Sequence, residues 1–513
     1  MPADGAPAVR SASEVERKYD VGATLMVPDL QGMSHVDSVS ASQEHLLEAV
    51  YFDTADLRLL AAGITLRHRS GGSDAGWHLK LPAGDDREEL TVDGGAGPVP
   101  QALAVLVRAW VRGGALAPVA ELSTRRQVQR LLGPADKPLV ELADDRVTGR
   151  ALPEGIELVW REWEVELLDG DRALLDVMQQ RLTAAGAAQS TSGSKLARVL
   201  GGRPVVQGDR PWWAGRKGSR SAGAAVQAHL AEQVAELVRR DPQVRRDVPD
   251  AVHKMRVATR RLRSALATFR PLLDRAHTDP LRVELRWLAA GLGAARDAEV
   301  MHARLRALVD AEPPELVLGP VRASIDEEMT KRYRTGYARL IEVLDGERYL
   351  RLLDALDALV LDPPFLDVAH REAHAVLARL VRRSWRRLDR AMVTATRAPL
   401  GPAQHELLHQ VRKDAKRARY AAEAVEPVFG PPADRFAAAM ERMQESLGDF
   451  HDGVVTGVVL LELGAGRHVA GENGFSFGRL HAQEQRRAEE AVARWPQART
   501  EVSRRRLRRW FQD

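Results

Sequence analysis

Apolar and polar positions alternate with a period of two through much of residues 13–203, and this period predicts β-strands. EVERKYDV, which contains Glu14, alternates in this way, and ITLRHRS and GWHLKLP are two short strands separated by the loop GGSDA. REELTVD, PLVELADDRV, IELVW and REWEVELL continue the series, with helices predicted over 99–112 and 171–185. The pattern predicts an antiparallel α+β unit that can close into a barrel.

From residue 224 onward the apolar positions follow the period of helices, and the second region is predicted to consist of helical bundles. Clusters of Pro and Gly near 242–249, 271–280, 313–320, 363–364, 399–402 and 427–432 are expected to delimit the helices. Residues 201–223 are rich in Gly, Pro and charge, as linkers are. We therefore predict a first domain at 13–203, a linker at 204–222 and a helical domain at 223–510.

A basic motif occurs twice in the helical region. His253, Arg256, Arg260 and Arg263 in VHKMRVATRRLRSAL have the same spacing as His409, Arg412, Lys416 and Arg419 in LLHQVRKDAKRARYAAE, where Lys413 adds a further cation. LGAARDAEV, which contains Gly293, is likewise echoed by LGDFHDGVV, which contains Gly448, so two elements share nearly one period. This repetition predicts an internal duplication with halves of about 223–365 and 366–510.

Each copy of the motif places its cations on one helix face, because offsets of three, four and seven residues return to the same side of a helix. Like charges at these spacings repel one another. A solvated surface is the simpler explanation for one such row, but two rows in the same register favour a polyanionic ligand with repeated charges. We infer that the second region binds such a polyanion.

Composition narrows the possible classes of protein. The chain contains no cysteine, which excludes disulfides and thiolate chemistry, and it contains neither a signal peptide nor a run of about 20 apolar residues. Residues 1–210 carry 23 Lys and Arg against 30 Asp and Glu, whereas residues 211–513 carry 52 against 41. We therefore expect a cytoplasmic protein that does not enter the membrane, with metal bound in the acidic part and polyanions in the basic part.

Charged residues alternate along several predicted strands of the first region. Glu14, Glu16 and Lys18 share one face of a strand, as do Glu162, Glu164 and Glu166, while Arg67, Arg69 and Lys80 lie on two other strands. A single polar stripe of this kind usually faces water, but stripes of both signs also suit a barrel with a polar interior. Such carboxylates could hold Mg²⁺ or Mn²⁺, and such cations could hold phosphate.

These motifs resemble two known families. The E-x-E-x-K strand is similar to the opening signature of the CYTH superfamily, the triphosphate tunnel metalloenzymes. Further motifs similar to that family are YFDT from Tyr51, LRHR from Leu66, LK at Leu79, the pair Asp144 and Asp145, EWEVELLDGD, and GSKLAR around Lys195. The duplicated basic motif resembles that of CHAD domains, and this resemblance implies binding of phosphate or polyphosphate. The order of the two regions resembles that of bacterial inorganic triphosphatases.

The resemblance implies an eight-stranded antiparallel tunnel followed by an all-α domain. It implies phosphate contacts for Lys18, Arg67, Arg69, Lys80, Arg87, Arg125 or Arg126, and Lys195, and metal binding by Glu14, Glu16, Glu164 and Glu166 with Asp145 nearby. In an alternative alignment with the family motif, the later acidic pair is Glu162 and Glu164. Catalysis is then expected to centre on Glu14, Glu16, Lys18 and Lys80.

The function expected on these grounds is metal-dependent hydrolysis of inorganic triphosphate or a related triphosphate, with polyphosphate bound by the helical domain. Two alternatives stay open: a non-catalytic polyphosphate-binding protein associated with granules, and an adenylate cyclase of the CYTH class. The basic helices lack interleaved aromatic residues, which argues against binding of single-stranded nucleic acid. The sequence contains no P-loop, H-E-x-x-H motif or nucleophile elbow. The substrate, the metal and the oligomeric state are not determined by these patterns.

Overall fold

A computed structural model of the protein describes residues 9–33, 35–84, 86–201, 220–399, 401–469, 471 and 473–511. The described residues form two compact units, one before and one after residues 202–219. Most of the predicted linker at 204–222 lies outside the described residues. Of its last residues, Ser221 caps the first helix of the second unit by accepting a hydrogen bond from the backbone N–H of Ala224.

The first unit is built on one antiparallel sheet. Its strands are β1 (Arg10–Glu14), β2 (Glu16–Asp20), β3 (Ser38–Val39), β4 (Gln43–Asp53), β5 (Thr65–Ser70), β6 (Gly76–Ala83), β7 (Asp86–Val92), β8 (Ala117–Leu132), β9 (Pro138–Ala151), β10 (Glu157–Leu167) and β11 (Ala188–Gln189). β1 pairs with β7, whereas β2 pairs with β10. Because β1 and β2 are separated only by Val15, the sheet returns to its own first segment and encloses a tunnel. The predicted antiparallel barrel is confirmed.

The apolar faces of the strands point outward, where short helices cover them. These helices are α1 (Arg58–Ala61), α2 (Gln101–Ala104), α3 (Arg108–Val111), α4 (Arg172–Ala184) and α5 (Lys195–Leu200). Trp163 and Val165 of β10, for example, are buried in one apolar cluster with Leu175 and Met178 of α4. Since alternate residues of a strand face opposite sides, this outward core leaves the charged positions of the same strands inside the barrel.

The second unit is helical. Its helices are α6 (Ala222–Arg245), α7 (Ala251–Thr268), α8 (Arg275–Asp310), α9 (Val321–Asp345), α10 (Glu347–Leu361), α11 (Ala373–Arg397), α12 (Pro402–Glu423), α13 (Glu426–Phe429), α14 (Pro431–Val469), α15 (Phe475–Ala493) and α16 (Trp495–Val502). The two helices with the basic motif, α7 and α12, pack against each other, α7 also against α8, and α12 also against α14. None of the helices described in this chain has a segment apolar and long enough to span a bilayer.

Some predicted boundaries differ from the structure. The helix predicted over 171–185 is confirmed as α4, but the one predicted over 99–112 is broken into α2, a 3₁₀ turn and α3. Pro242 and Pro280 lie inside α6 and α8 instead of delimiting them.

Candidate functional site

The barrel interior contains a polar cavity of about 160 Å³. Charged groups of both signs dominate its wall. The lining residues are Glu14, Glu16, Lys18, Tyr51, Thr65, Arg67, Arg69, Asp74, Lys80, Arg87, Glu89, Arg126, Glu141, Glu164, Glu166, Ser194 and Lys195. The structure thus brings together most of the residues that the alternating strands predicted, from both ends of the first unit's sequence.

Lys195, at the start of α5, lies at the centre of a buried acidic cluster. Its ammonium is 2.9 Å from Asp145, 2.8 Å from Glu162 and 2.6 Å from Glu164. The carboxylate oxygens of these three acids lie within 4.8 Å of one another. Arg126 adds a bidentate pair with Asp145, at 2.8 and 2.6 Å, and donates to Glu164 as well. The neighbouring cations hold the pKa of Asp145 and Glu164 below its ordinary value, although burial alone would raise it.

A second group of carboxylates lies in one row across three strands of the sheet. In the register of the sheet, Glu166 of β10 stands opposite Glu16 of β2 on one side and Glu141 of β9 on the other. Like charges opposite one another in a sheet are destabilising. Burial, followed by the charges of Glu14, Glu141 and Glu16, raises the pKa of Glu166 to about 7. Glu16 lies 3.2 Å from Lys18 and Glu141 lies 3.0 Å from Arg130, whereas no ion pair involves Glu166 among the described residues.

The basic groups lie on other strands. Arg67 and Arg69 point inward from β5, and Lys80 of β6 forms a 2.6 Å ion pair with Glu14. Burial together with the charges of Arg67 and Arg126 lowers the pKa of Arg69 to about 9. The tunnel therefore holds several desolvated cations close to one another, an arrangement that an anionic ligand would stabilise.

Two details correct or extend the sequence-based assignment. Arg125 is 64% exposed beside Glu44 and lies outside the cavity, whereas Arg126 lines it, so only Arg126 of this pair can contact a ligand in the tunnel. Glu89 and Glu141 also line the cavity, although neither was predicted from the sequence. Glu89 pairs in register with Lys80 and lies 3.0 Å from His78. Its alternating strand REELTVD was the available signal, but the inward face of that strand could not be chosen from the sequence.

The duplicated basic motifs of the second unit meet where α7 and α12 pack. A cavity of about 290 Å³ there is lined by Arg260, Arg263, Ser264, Ala267, Arg282, Arg286, Lys413, Lys416, Arg417 and Tyr420. We call it the cationic cavity. Nε of Arg260 and Nε of Arg412 are buried without a hydrogen-bond acceptor among the described residues. Burial and the adjacent arginines lower the pKa of Lys416 to about 7.

The two copies of the motif make the same local contact. A Cβ atom on Gly293 of α8 would lie 4.0 Å from the guanidinium of Arg256, and one on Gly448 of α14 would lie 3.4 Å from that of Arg412. The glycines of the two repeated LG segments therefore make room for the first arginine of each motif. Such equivalent packing is what a duplicated module is expected to show.

Other members of the motifs are not directed at the cationic cavity. Arg256 forms a 2.7 Å ion pair with Asp297, and Arg419 pairs with Glu423 at 2.6 Å and Glu441 at 2.7 Å. His253 and His409 are half-buried, and burial is the largest cause that lowers the pKa of each below its ordinary value. Burial therefore favours the neutral form of both imidazoles.

Comparison with known proteins matches both units. The model of the family described as CYTH domain matches residues 12–200, and that of the family described as CHAD domain matches 228–461. Two Mycobacterium tuberculosis proteins, Uncharacterized protein MT2285 and Uncharacterized protein Rv2226, are each 40% identical over 503 residues, which is 94% of this chain and 95% of the relative. These matches confirm the resemblance inferred from the motifs.

Two solved structures are also similar. PptA from Streptomyces chartreusis is 23% identical, with a TM-score of 0.45, over 55% of this chain and 99% of that one. The CHAD domain from the plant Ricinus communis is 26% identical, with a TM-score of 0.44, over 56% of this chain and 94% of that one.

Proposed function

The chain belongs to the proteins that join a CYTH domain to a CHAD domain, and from this premise we propose that it hydrolyses inorganic triphosphate or a related triphosphate with a divalent metal. One observation carries the proposal: in the described part of the barrel, inward-pointing cations and carboxylates share one enclosed cavity. Phosphoryl transfer needs little covalent chemistry from a protein, so that positioning and charge stabilisation suffice.

The cations are the groups that would hold the substrate. Lys18, Arg67, Arg69, Lys80, Arg87, Arg126 and Lys195 all line the cavity. Guanidinium groups bind phosphate oxygens with two parallel hydrogen bonds, which fixes a polyphosphate chain in one orientation. A triphosphate would replace a protein carboxylate as the partner of groups such as Arg69, which pairs with Asp74 at the cavity wall.

The carboxylates suit a divalent metal at one end of the tunnel. Glu14, Glu16 and Glu166 would hold it, because Glu166 lies between two further glutamates with no cation paired to it among the described residues. Asp145, Glu162 and Glu164 are close enough together, but Lys195 already supplies their positive charge. Oxygen ligands favour Mg²⁺ or Mn²⁺. When bound, the metal neutralises charge on the phosphates during transfer.

We further propose that the helical unit binds inorganic polyphosphate through the cationic cavity. None of the residues described as lining this cavity is a carboxylate, and two of its neighbouring arginine Nε groups lack an acceptor. Phosphate oxygens would supply the missing acceptors. A polyanion with repeated charges would contact the α7 and α12 rows together, so affinity is expected to rise with chain length.

The enzymatic proposal is tested by product analysis with purified protein. Tripolyphosphate, ATP and thiamine triphosphate are each supplied with Mg²⁺, Mn²⁺ or EDTA, and orthophosphate and cyclic AMP are measured. We expect metal-dependent release of orthophosphate that EDTA abolishes. Cyclic AMP formed from ATP would support the cyclase alternative, and no turnover with any substrate would support the non-catalytic one.

The polyphosphate proposal is tested by a pair of charge-reversal variants. Arg260→Glu with Lys416→Glu should cost far more affinity for long-chain polyphosphate than Arg504→Glu with Arg505→Glu, two exposed arginines outside the cavity. Both double variants change the net charge by the same amount. A difference in affinity between them therefore reports a specific site and not a general electrostatic attraction. Equal losses in the two double variants, measured by titration at one fixed salt concentration, would contradict the proposed site.

A further inference from the structure

Lys416 occupies an unusual position for a lysine. It lines the cationic cavity together with Arg260, Arg263, Lys413 and Arg417, and no carboxylate is among the described lining residues. Its side chain is partly buried, so it is reached through the cavity. By contrast, Lys254 and Lys331 are exposed on the outside of the same unit, and Lys254 lies 3.5 Å from Asp250.

The surroundings of Lys416 change its protonation. Burial, followed by the charges of Arg260, Arg412 and Arg256, lowers its pKa to about 7. About half of its amine is then free at pH 7, compared with about one part in three thousand for an ordinary lysine. Desolvation and neighbouring cations are the means by which proteins turn lysine into a nucleophile.

We propose that Lys416 is a site of acylation by small acyl phosphates. The cationic cavity attracts the phosphate of such a donor, and Arg260 and Arg263 of α7 are among the guanidinium groups that line it. The free amine of Lys416 attacks the donor's carbonyl carbon, a new N–C bond forms, and the bond from that carbon to the phosphate oxygen breaks. Inorganic phosphate leaves, the amine proton passes to solvent, and nothing is oxidised or reduced.

The modification has a consequence for the cavity. An amide at Lys416 carries no charge, so acylation removes a cationic group from the cavity proposed to bind polyphosphate. Conversely, bound polyphosphate would shield the amine from the acyl donor. This consequence rests on the proposed polyphosphate binding, whereas the acyl transfer itself requires only the cavity and its charges.

The acyl transfer is tested by mass spectrometry. The full chain is incubated with isotope-labelled acetyl phosphate at pH 7, and acetylation of each lysine peptide is followed with time. We expect Lys416 to react at least about tenfold faster than Lys254 and Lys331, and Lys416→Arg to remove the label from that peptide only. Equal rates at Lys416 and the two exposed lysines would overturn the proposal.

Two further arms separate its parts. A neutral acetyl ester reports the reactivity of the amine alone, because it has no phosphate for the cavity to bind. The ratio of the acetylation rate of Lys416 to that of the exposed lysines should therefore be smaller with the ester than with acetyl phosphate. An equal ratio with both donors would overturn phosphate capture by the cavity. Preincubation with long-chain polyphosphate should slow acetylation of Lys416 but not of Lys331. Acetylation of Lys416 unchanged by saturating polyphosphate would contradict the polyphosphate site while the acyl transfer stands.

Discussion

Replacing Lys416 with methionine should stabilise the ligand-free protein. The lysine is partly buried among Arg260, Arg412 and Arg256, and the described residues offer its ammonium no carboxylate partner. Methionine has nearly the same length and no charge, so Lys416→Met removes both the desolvation of the ammonium and its repulsion by the arginines. A lysine that lowers the stability of the ligand-free protein in this way is expected to contact a ligand.

The size of the effect follows from the pKa. A fall from 10.5 to about 7 corresponds to an upper limit of about 5 kcal/mol, at about 1.4 kcal/mol per pKa unit. Because the side chain is partly exposed and solvent screens its charge, we expect about 1–2 kcal/mol. The unfolded chain binds the proton more tightly than the folded one, so wild-type stability rises between pH 7 and pH 10.5. The advantage of the variant is therefore largest below pH 7 and vanishes near pH 10.

Urea unfolding of the full chain, followed by circular dichroism at the helical band, measures this difference at pH 6.5 and pH 9.5. Lys254→Met is the matched control, because Lys254 is exposed and its replacement should change stability by less than about 0.5 kcal/mol. The same Lys416→Met protein should bind polyphosphate more weakly. A variant that is less stable than wild type at pH 6.5, or a gain that does not depend on pH, would refute the electrostatic explanation.

Three further predictions concern the tunnel. Arg126→Ala should lower kcat/KM for tripolyphosphate by at least about a hundredfold, whereas Arg125→Ala should leave it within about twofold, because only Arg126 lines the cavity. Equal losses in the two variants, measured by steady-state kinetics, would argue against this placement. Lys195→Met should destabilise the first unit by about 3–5 kcal/mol in urea unfolding, because three buried carboxylates lose the one cation that they share, and a loss below about 1 kcal/mol would contradict it. Activity should rise with pH through about 7 as Glu166 loses its proton, with a midpoint that falls as Mg²⁺ is raised, and Glu166→Gln should abolish that dependence on Mg²⁺; a midpoint insensitive to metal would count against Glu166 as a ligand.

Much of the tunnel could be predicted because its strands alternate strictly. Glu14, Glu16 and Lys18 had to share one face, and the same holds for the later acidic strand, so these parts of the wall followed from the period, whereas Arg87 and Lys195 were assigned only from the family resemblance. The face that points inward was harder to choose where both faces are polar. Arg125 and Arg126 are adjacent and equally basic, and only pairing with Asp145 across β8 and β9 distinguishes them.

Contacts between distant segments could not be predicted. The row formed by Glu16, Glu166 and Glu141 depends on the register of three strands, which no local pattern specifies. In the helical unit Arg256 pairs with Asp297 on α8 and Arg419 pairs with Glu441 on α14, and the spacing of the motif does not indicate either partner. Such pairs arise from helix packing and leave no trace in the motif itself.

The split first segment of the barrel has a consequence for synthesis of the protein. β2 can pair with β10 only after residue 167 has been made, and the contact between Lys18 and Glu164 closes a loop of 146 residues. Pairings so distant in sequence are slow because the entropy of loop closure is lost before they form. At about 5–20 residues per second, the first segment waits at least several seconds on the ribosome. During that interval the unpaired N–H and C=O groups of β2 form an open strand edge, so the nascent chain is exposed to aggregation at the strand that carries Glu16, one of the proposed metal ligands.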